Sequence, residues 1–563
     1  MTVLQKTRLS LCFAAACSAG ALLAQSTTMP QPGGATREEW PHHGGTHQFW
    51  HYSALAQVDR SNVRKLAPAW AFQTGDSEGG LQATPIVVDG VMYLSTSHNH
   101  IFAIDAATGK ELWKYTYQLP KGFTIFYGPW NRGVAVGQGK VFIGTLDNNV
   151  VAVDQKTGRE RWRVNVEDST QCGCNITAAP LLVKGKVLTG VTGGDSAHRG
   201  YISAFDAETG RMAWRFYTIP GPGEKGHETW SGDSWKSGGG SAWMTPSYDA
   251  ELNLTYWSVG NPAADFYGDS RKGANLYTDS VIALNPDNGQ LKWHFQQVPH
   301  DVWDFDTAYE NILFDAPVKG QMRKLLLNVN KGGVVFVLDR TNGQFVAGYP
   351  IVKHINWIKG LDEQGNLVGR NEPPVGKTTF VCPAIGGGRS WNQAAYSPDT
   401  KWLYTTALEW CQDVTVYEEK PREGQTFFGG AFVPKDPPGE RSYSHLDAID
   451  PVSGEKKWSY RSKYPLLASV LATAGNLVFT GDPEGFFFAL DGKTGEKVWQ
   501  FQTGSGHRGS AITYSVNGRQ YIATPSGWGS AVAGLVAQLW PEAERFRGGS
   551  TLWVFALPAE EAK

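Results

Sequence analysis

One phrase recurs along the chain and limits what it can fold into. It reads IFAIDAATGKELWKY at 101–115, VVAVDQKTGRERWRV at 150–164 and ISAFDAETGRMAWRF at 202–216. Further copies are VIALNPDNGQLKWHF at 281–295, VFVLDRTNGQF at 335–345, LDAIDPVSGEKKWSY at 446–460 and FFALDGKTGEKVWQF at 487–501. Each copy is an alternating apolar strand, an Asp or Asn, a turn ending in Gly, and a second strand. The Asp or Asn side chain can cap the turn, and Gly takes the positive φ that ends it. Six copies place Trp eight residues after the Asp or Asn, at 113, 162, 214, 293, 458 and 499. A flat side chain at a fixed offset suits the docking of one sheet on the next. An eighth copy is split. TLWVFALP at 551–558 supplies its first strand, and APAWAFQTG at 67–75 its second, with Trp70 in the repeat position.

This pattern predicts an all-β fold: one eight-bladed β-propeller over 67–563 with tryptophan-docking repeats, its ring closed by pairing N- and C-terminal strands. Length alone, 563 residues at about 150 per domain, argues instead for three or four domains. The wide gaps between copies predict loops near 219–240, 262–278, 350–392 and 411–443. Long loops on a rigid β scaffold are where function concentrates.

Residues 1–26 read as a signal peptide. Lys6 and Arg8 precede an apolar run at 9–24, and Ala24-Gln25-Ser26 fits a processing site. The run is shorter than the roughly 20 residues that span a bilayer. A periplasmic protein with no membrane span in its mature chain is therefore expected, with 27–66 as an N-terminal extension crossing the ring. The 51 basic and 53 acidic residues nearly cancel, so nucleic acid is not an expected partner. Once Cys12 and Cys17 leave with the signal, four cysteines remain and allow three pairings. Cys382–Cys411 is the preferred bridge. For Cys172 and Cys174 a short-range disulfide, free thiols and metal ligation all stay open. No C-x-x-C-H occurs, so the chain carries no c-type haem attachment site.

Several segments could hold chemistry. PHDVWDFD at 299–306 packs Asp301, Asp304 and Asp306 among aromatics. If the piece is extended, Asp304 and Asp306 share a face and could hold a hard cation, with one left as a base. A solvated acidic turn is the plain alternative. In GVTGGDSAHRG at 190–200, Gly193 and Gly194 let the backbone approach a ligand closely, and Asp195 follows. In SVGNPAADFYGD at 258–269, the Asn261 amide oxygen is a candidate metal ligand, though Asn-Pro also marks a turn. Arg132 and Lys331 supply positive charge; Lys331 precedes an apolar strand and reads as half-buried or simply exposed. Trp243, after three glycines, is a stacking platform or another packing tryptophan.

Taken together, these segments resemble the periplasmic quinoprotein alcohol dehydrogenases, the methanol/ethanol dehydrogenase family that uses pyrroloquinoline quinone (PQQ). The carriers are TAAPLLVKGKVLTGVTGG at 177–194, RGYISAFDAETGRMAWRFYTIPGPGEKGHETWSGDSWKSGG at 199–239, SVGNPAADFYGDSRKGANLYTDSVIALN at 258–285, KWHFQQVPHDVWDFD at 292–306, KGGVVFVLDRTNG at 331–343 and AAYSPDTKWLYTTALEWC at 394–411. The likeness covers nearly all of the mature chain. It implies PQQ in the central channel and one ion, Ca2+ or a lanthanide, between the quinone and protein oxygens. It implies Asp195, Asn261, Asp304 and Asp306 as ion ligands. Gln82, Arg132, Thr177, Thr192, Gly193, Gly194, Trp243 and Lys331 fall at cofactor positions, Trp243 being the ring-stacking one. Cys382 and Cys411 match a structural disulfide of the family. The implied reaction oxidises an alcohol to an aldehyde or ketone. The metal acts as Lewis acid, Asp304 takes the hydroxyl proton, and a hydride passes to quinone C5. Electrons then go to a separate, soluble cytochrome c.

Asp306 is the extra carboxylate that lanthanide-using members carry, so a lanthanide is the favoured ion. Three departures mark a divergent branch. Phe126-Tyr127 stands where the family has an adjacent Cys-Cys pair. Gln82 and Asp195 each stand where it has Glu. Two other readings are a non-catalytic propeller scaffold and a PQQ dehydrogenase of a polyol, sugar or polymer.

Overall fold

The computed structural model describes residue 36 and residues 38–559. The expected signal peptide and the start of the N-terminal extension lie outside the described residues. The fold is all-β, and eight of its sheets contain a run of four antiparallel strands. One such sheet runs Ile86–Val88, Val91–Ser95, Ile101–Asp105 and Glu111–Tyr115. Its first three strands are largely buried, and its last alternates between half-buried and exposed residues. That is the pattern of a sheet edge facing solvent. Another sheet joins the chain's two ends. Ala67–Gln73 pairs antiparallel with Thr551–Ala556, with Trp70 opposite Val554.

The recurring phrase does the work its chemistry predicts. In the first copy, Asp105 Oδ1 accepts from the Ala107 and Thr108 amides, and Gly109 sits at φ +76°. Six of the seven repeat tryptophans then lie on the turn glycine of the next copy, and the seventh, Trp499, donates its indole N–H to the Leu66 carbonyl (3.2 Å). A Cβ added at Gly109, Gly158, Gly210, Gly289, Gly343 or Gly495 would fall within 2.7 Å of the ring of Trp70, Trp113, Trp162, Trp214, Trp293 or Trp458, respectively. The indole N–H also donates to a carbonyl of the next sheet, as in Trp162 to Ala207 (3.2 Å) and Trp214 to Pro286 (3.0 Å). The copy at 335–345 has no Trp in that position. Tyr349 takes the place, lying against Gly454 and donating to the Pro451 carbonyl.

The segment 36–53 ties six of the sheets together through backbone bonds. Trp40 exchanges both bonds with Val87, and Glu38 O accepts from Ser515. His47, Gln48 and Trp50 carbonyls accept from Tyr248, Leu313 and Tyr396. Tyr52–Ser53 adds a parallel strand beside Leu471–Thr473. Three of its histidines, His42, His43 and His51, are buried, and burial pushes the His51 imidazole down to about 4.

Two of the expected loops are partly strands. Within 350–392, Gly360–Leu361 pairs with Leu367–Val368. Thr378–Val381 pairs with Cys411–Val416, which pairs with Gly430–Lys435, so the Cys382–Cys411 disulfide links the ends of two neighbouring strands. Pro, Gly and charge concentrate in these stretches, but the apolar alternation inside them is enough to pair. Among the described residues no helix is long and apolar enough to cross a membrane.

Candidate active site

A cavity of about 320 Å3 opens among segments that connect the strands, from Gln82 to Leu535. Every residue predicted to bind cofactor or ion lines it: Gln82, Arg132, Thr177, Thr192, Gly193, Gly194, Asp195, Trp243, Asn261, Asp304, Asp306 and Lys331.

Asp304 does not lie in an extended strand, as the alternation argument assumed. It sits at φ +62°, in a turn organised by Asp301, whose two carboxylate oxygens accept from the Trp303 (2.8 Å) and Phe305 (2.7 Å) amides. The turn is packed by Trp303, Phe305 and Trp357. Asp304 and Asp306 nevertheless meet the same cation. Lys331 Nζ is 2.6 Å from Asp304 Oδ2 and 3.4 Å from Asp306 Oδ2. Burial works against the ammonium, but these two carboxylates outweigh it and hold Lys331 well above its ordinary range. Asp304 itself is pushed up, by burial first and by Asp306 and Asp195 next, with Lys331 pulling the other way. A buried carboxyl with a raised pKa is the kind of group that takes up a proton.

Asn261 joins the acidic groups. Its backbone N–H donates to Asp306 Oδ1 (2.9 Å), and its Nδ2 donates to Asp195 Oδ1 (3.1 Å) and Asp265 Oδ1 (3.0 Å). The amide oxygen faces Gly194, where any Cβ would lie 2.4 Å from it. That position therefore has to be glycine. Carboxylate oxygens of Asp195, Asp265 and Asp304 lie within 4.8 Å of one another. Burial, with Asp306 adding repulsion, raises Asp195 to about 6.

On the opposite wall, Arg132 lies over the rings of Trp243 (4.9 Å) and Trp391 (4.5 Å) and donates to Thr177 Oγ1. Burial lowers it to about 9. Gln82 is anchored by Nε2 on the Gly529 carbonyl (3.0 Å), which leaves Oε1 buried without a partner among the described residues. Arg132 Nε and Asp304 Oδ1 are likewise unpartnered. Buried polar atoms of this kind call for a polar ligand. The rim is apolar: Ile385, Phe428, Phe432, Val532 and Leu535, the last two on the helix Ala531–Leu539.

Cys172 and Cys174 form a disulfide, settling the three-way choice left by the sequence. Ser196 Oγ donates to the Gly173 carbonyl inside that loop and bonds the Tyr127 hydroxyl on the cavity wall (2.6 Å). The sequence reading missed Asp265, Tyr309 and Arg508. Arg508 lies 4.4 Å from the Trp391 ring centre and, like Tyr309, lines the cavity. Asp265 sits four residues after Asn261 in a segment already singled out, so its spacing was a usable signal. Arg508 lies in GSGHRGS, which has no local pattern to mark it. Trp391 lines the cavity, while Trp528 packs against Phe546 instead.

Comparison with known proteins places this cavity. The family described as PQQ, Glucose/ethanol/alcohol dehydrogenase, beta-propeller domain, matches residues 40–355 and 451–522. The chain belongs to this family of quinoprotein alcohol dehydrogenases. It is 41% identical to the quinoprotein alcohol dehydrogenase PedH of Pseudomonas putida, over 90% of this chain and 89% of that protein. It is 37% identical to a quinoprotein ethanol dehydrogenase of Pseudomonas aeruginosa, over 96% and 94%. Among solved structures, a europium-containing methanol dehydrogenase superposes with TM-score 0.86 at 32% identity, covering 92% of this chain and 98% of that one. The residues present fit such a cofactor and ion. Three carboxylates, Asp265 and Asp304 buried and Asp195 half-buried, stand close enough to share an ion, two further buried polar atoms need partners, and two tryptophans line the space.

Proposed function

We propose that this protein is a PQQ-dependent alcohol dehydrogenase. The observation that carries the reading is convergence: a base, an acidic ion site, two buried arginines and a tryptophan platform, from segments spread over residues 82–508, meet in one cavity. A propeller that served only as a scaffold would have no use for them. Seven four-stranded sheets, and the four antiparallel strands of the five-stranded one, serve as the eight blades of one ring over 67–563, with the Ala67–Gln73 and Thr551–Ala556 pair as its clasp. Residues 27–66 form the extension, and 1–26 direct export to the periplasm. A soluble cytochrome c takes the electrons.

When bound, PQQ would supply the hydride acceptor and the ion a Lewis acid. The remaining work falls to the chain. Asp304 Oδ1, unpartnered and buried, receives the hydroxyl proton, while Lys331 holds Oδ2 and keeps the carboxylate turned inward. Trp243 and Trp391 flank the cofactor space. Arg132 stabilises negative charge on the quinone side. Gln82 Oε1, Thr177 and Thr192 offer it hydrogen bonds. Asp195, Asn261, Asp304 and Asp306 hold the ion, for which a lanthanide is the favoured choice because several carboxylates suit a trivalent charge. The apolar rim favours a monohydric alcohol over a polyol or sugar, since Phe428, Phe432 and Leu535 offer no partners to extra hydroxyls.

The test is the absorbance spectrum of purified protein with PQQ and either CaCl2 or LaCl3, followed by dye-linked oxidation of an alcohol panel. Quinone absorbance and turnover are expected. No bound quinone and no turnover with either ion would refute the reading. Equal or greater activity with calcium would refute the choice of lanthanide.

A further inference from the structure

We propose that Asp265 donates an oxygen to the ion, alongside Asp195 and Asp304. The inference rests on the proposed ion site and adds a residue that the sequence pattern did not assign to it. Three observations carry it. First, oxygens of Asp195, Asp265 and Asp304 lie within 4.8 Å of one another, close enough to ligate a single ion. Second, Asp265 is fully buried, yet its Oδ2 has no hydrogen-bond donor among the described residues, while Oδ1 is occupied by the Asn261 amide. A buried carboxylate oxygen without a donor is costly, and a cation is the partner that removes that cost. Third, both oxygens of Asp306 already accept hydrogen bonds, from the Asn261 N–H and from Lys331, so what it offers the ion is shared. Asp265 thus supplies a further oxygen beside those of Asp195, Asn261, Asp304 and Asp306.

The assignment bears on the ion's charge. Asp195, Asp265, Asp304 and Asp306 against Lys331 make four negative groups and one positive, a formal charge of −3. A trivalent cation would neutralise the four carboxylates more fully than a divalent one. Removing Asp265 should therefore cost La3+ more than Ca2+.

The experiment uses the full-length, PQQ-loaded, metal-free protein and Asp265→Ala, because an asparagine there would keep an amide oxygen able to bind the ion. LaCl3 and CaCl2 affinities are measured by calorimetry. Water bound to Eu3+ is counted from luminescence lifetimes in H2O and D2O. No substrate is present. The expected result is at least a roughly tenfold loss of La3+ affinity, a smaller loss for Ca2+, and about one more water on Eu3+ as solvent replaces the lost oxygen. La3+ affinity within twofold of wild type overturns the proposal. So does a lower affinity with an unchanged water count, which would make Asp265 only the holder of the Asn261 amide. An equal loss for both ions overturns the charge argument. Should Asp265→Ala fail to fold, Asp265→Ser carries the same readouts. Wild-type protein that binds PQQ and ion while Asp265→Ala behaves identically refutes this inference alone; wild-type protein that binds neither refutes the proposed function.

Discussion

His51 offers a sharp test of how segment 36–53 holds the sheets together. Its imidazole is fully buried, with Nε2 on the His43 carbonyl, and burial lowers it from 6.5 to about 4. A histidine depressed by folding favours the neutral form. Its contribution is intact above about 6.5 and is lost as pH falls towards 4. About pH 5 lies about 1.5 pH units below the unfolded value, so holding the ring neutral costs about 2 kcal/mol at 1.36 kcal/mol per pH unit. The perturbation is His51→Asn: neutral at every pH, and tolerant of the φ of +47° at this position. Other groups titrate in the same window, so the measurement is a ratio. Hydrogen exchange is followed at the Tyr248, Leu313 and Tyr396 amides, whose acceptors are carbonyls of this segment. The ratio of wild-type to variant protection should fall about 30-fold between about pH 7.5 and about pH 5, the equivalent of that 2 kcal/mol. The smaller side chain adds a pH-independent offset that cancels. A ratio constant within twofold would mean that burial does not control this histidine, and the reasoning would fail.

Other predictions follow from the site and the scaffold. Asp304→Asn should lower turnover at least about 100-fold while PQQ absorbance is retained; near wild-type turnover would remove the base role. Trp214→Ala should cost about 3–5 kcal/mol, read by denaturant unfolding, since it strips the ring from Gly289 and orphans the Pro286 carbonyl. Breaking Cys382–Cys411, which closes a 29-residue separation, should cost about 4 kcal/mol on chain entropy, against under about 2 for Cys172–Cys174 with a separation of 2. Similar losses of unfolding free energy in the two cysteine double variants would refute that ordering.

Much of the scaffold was legible because its key contacts are encoded locally. An Asp, a Gly and a Trp at fixed offsets specify turn, approach and docking within fifteen residues, and the geometry repeats from sheet to sheet. The site was legible for a different reason: its polar residues lie in runs long enough to resemble a family. What escaped was set by tertiary placement. Tyr349 substitutes for a tryptophan two residues late, where only the neighbouring sheet shows that its ring covers Gly454. The left-handed turn at Asp304 depends on Asp301 bonding two amides, which alternation along a strand cannot convey. Arg508, more than a hundred residues from Trp391 in the chain, acquires a role only by meeting that ring at one cavity.

The pairing of Ala67–Gln73 with Thr551–Ala556 has a consequence for synthesis. The sheet that includes it takes three strands from residues 512–556 and one from the beginning of the chain. That first strand must wait, unpaired, while nearly five hundred residues are made. Its exposed backbone edge is a template for the wrong neighbour throughout that time. In the proposed ring this pair is the buckle, one half made early and the other last. Truncating the C-terminus before 551 should therefore do more than trim an end: it leaves the buckle open, with Trp70 and an unsatisfied strand edge free to join a second molecule.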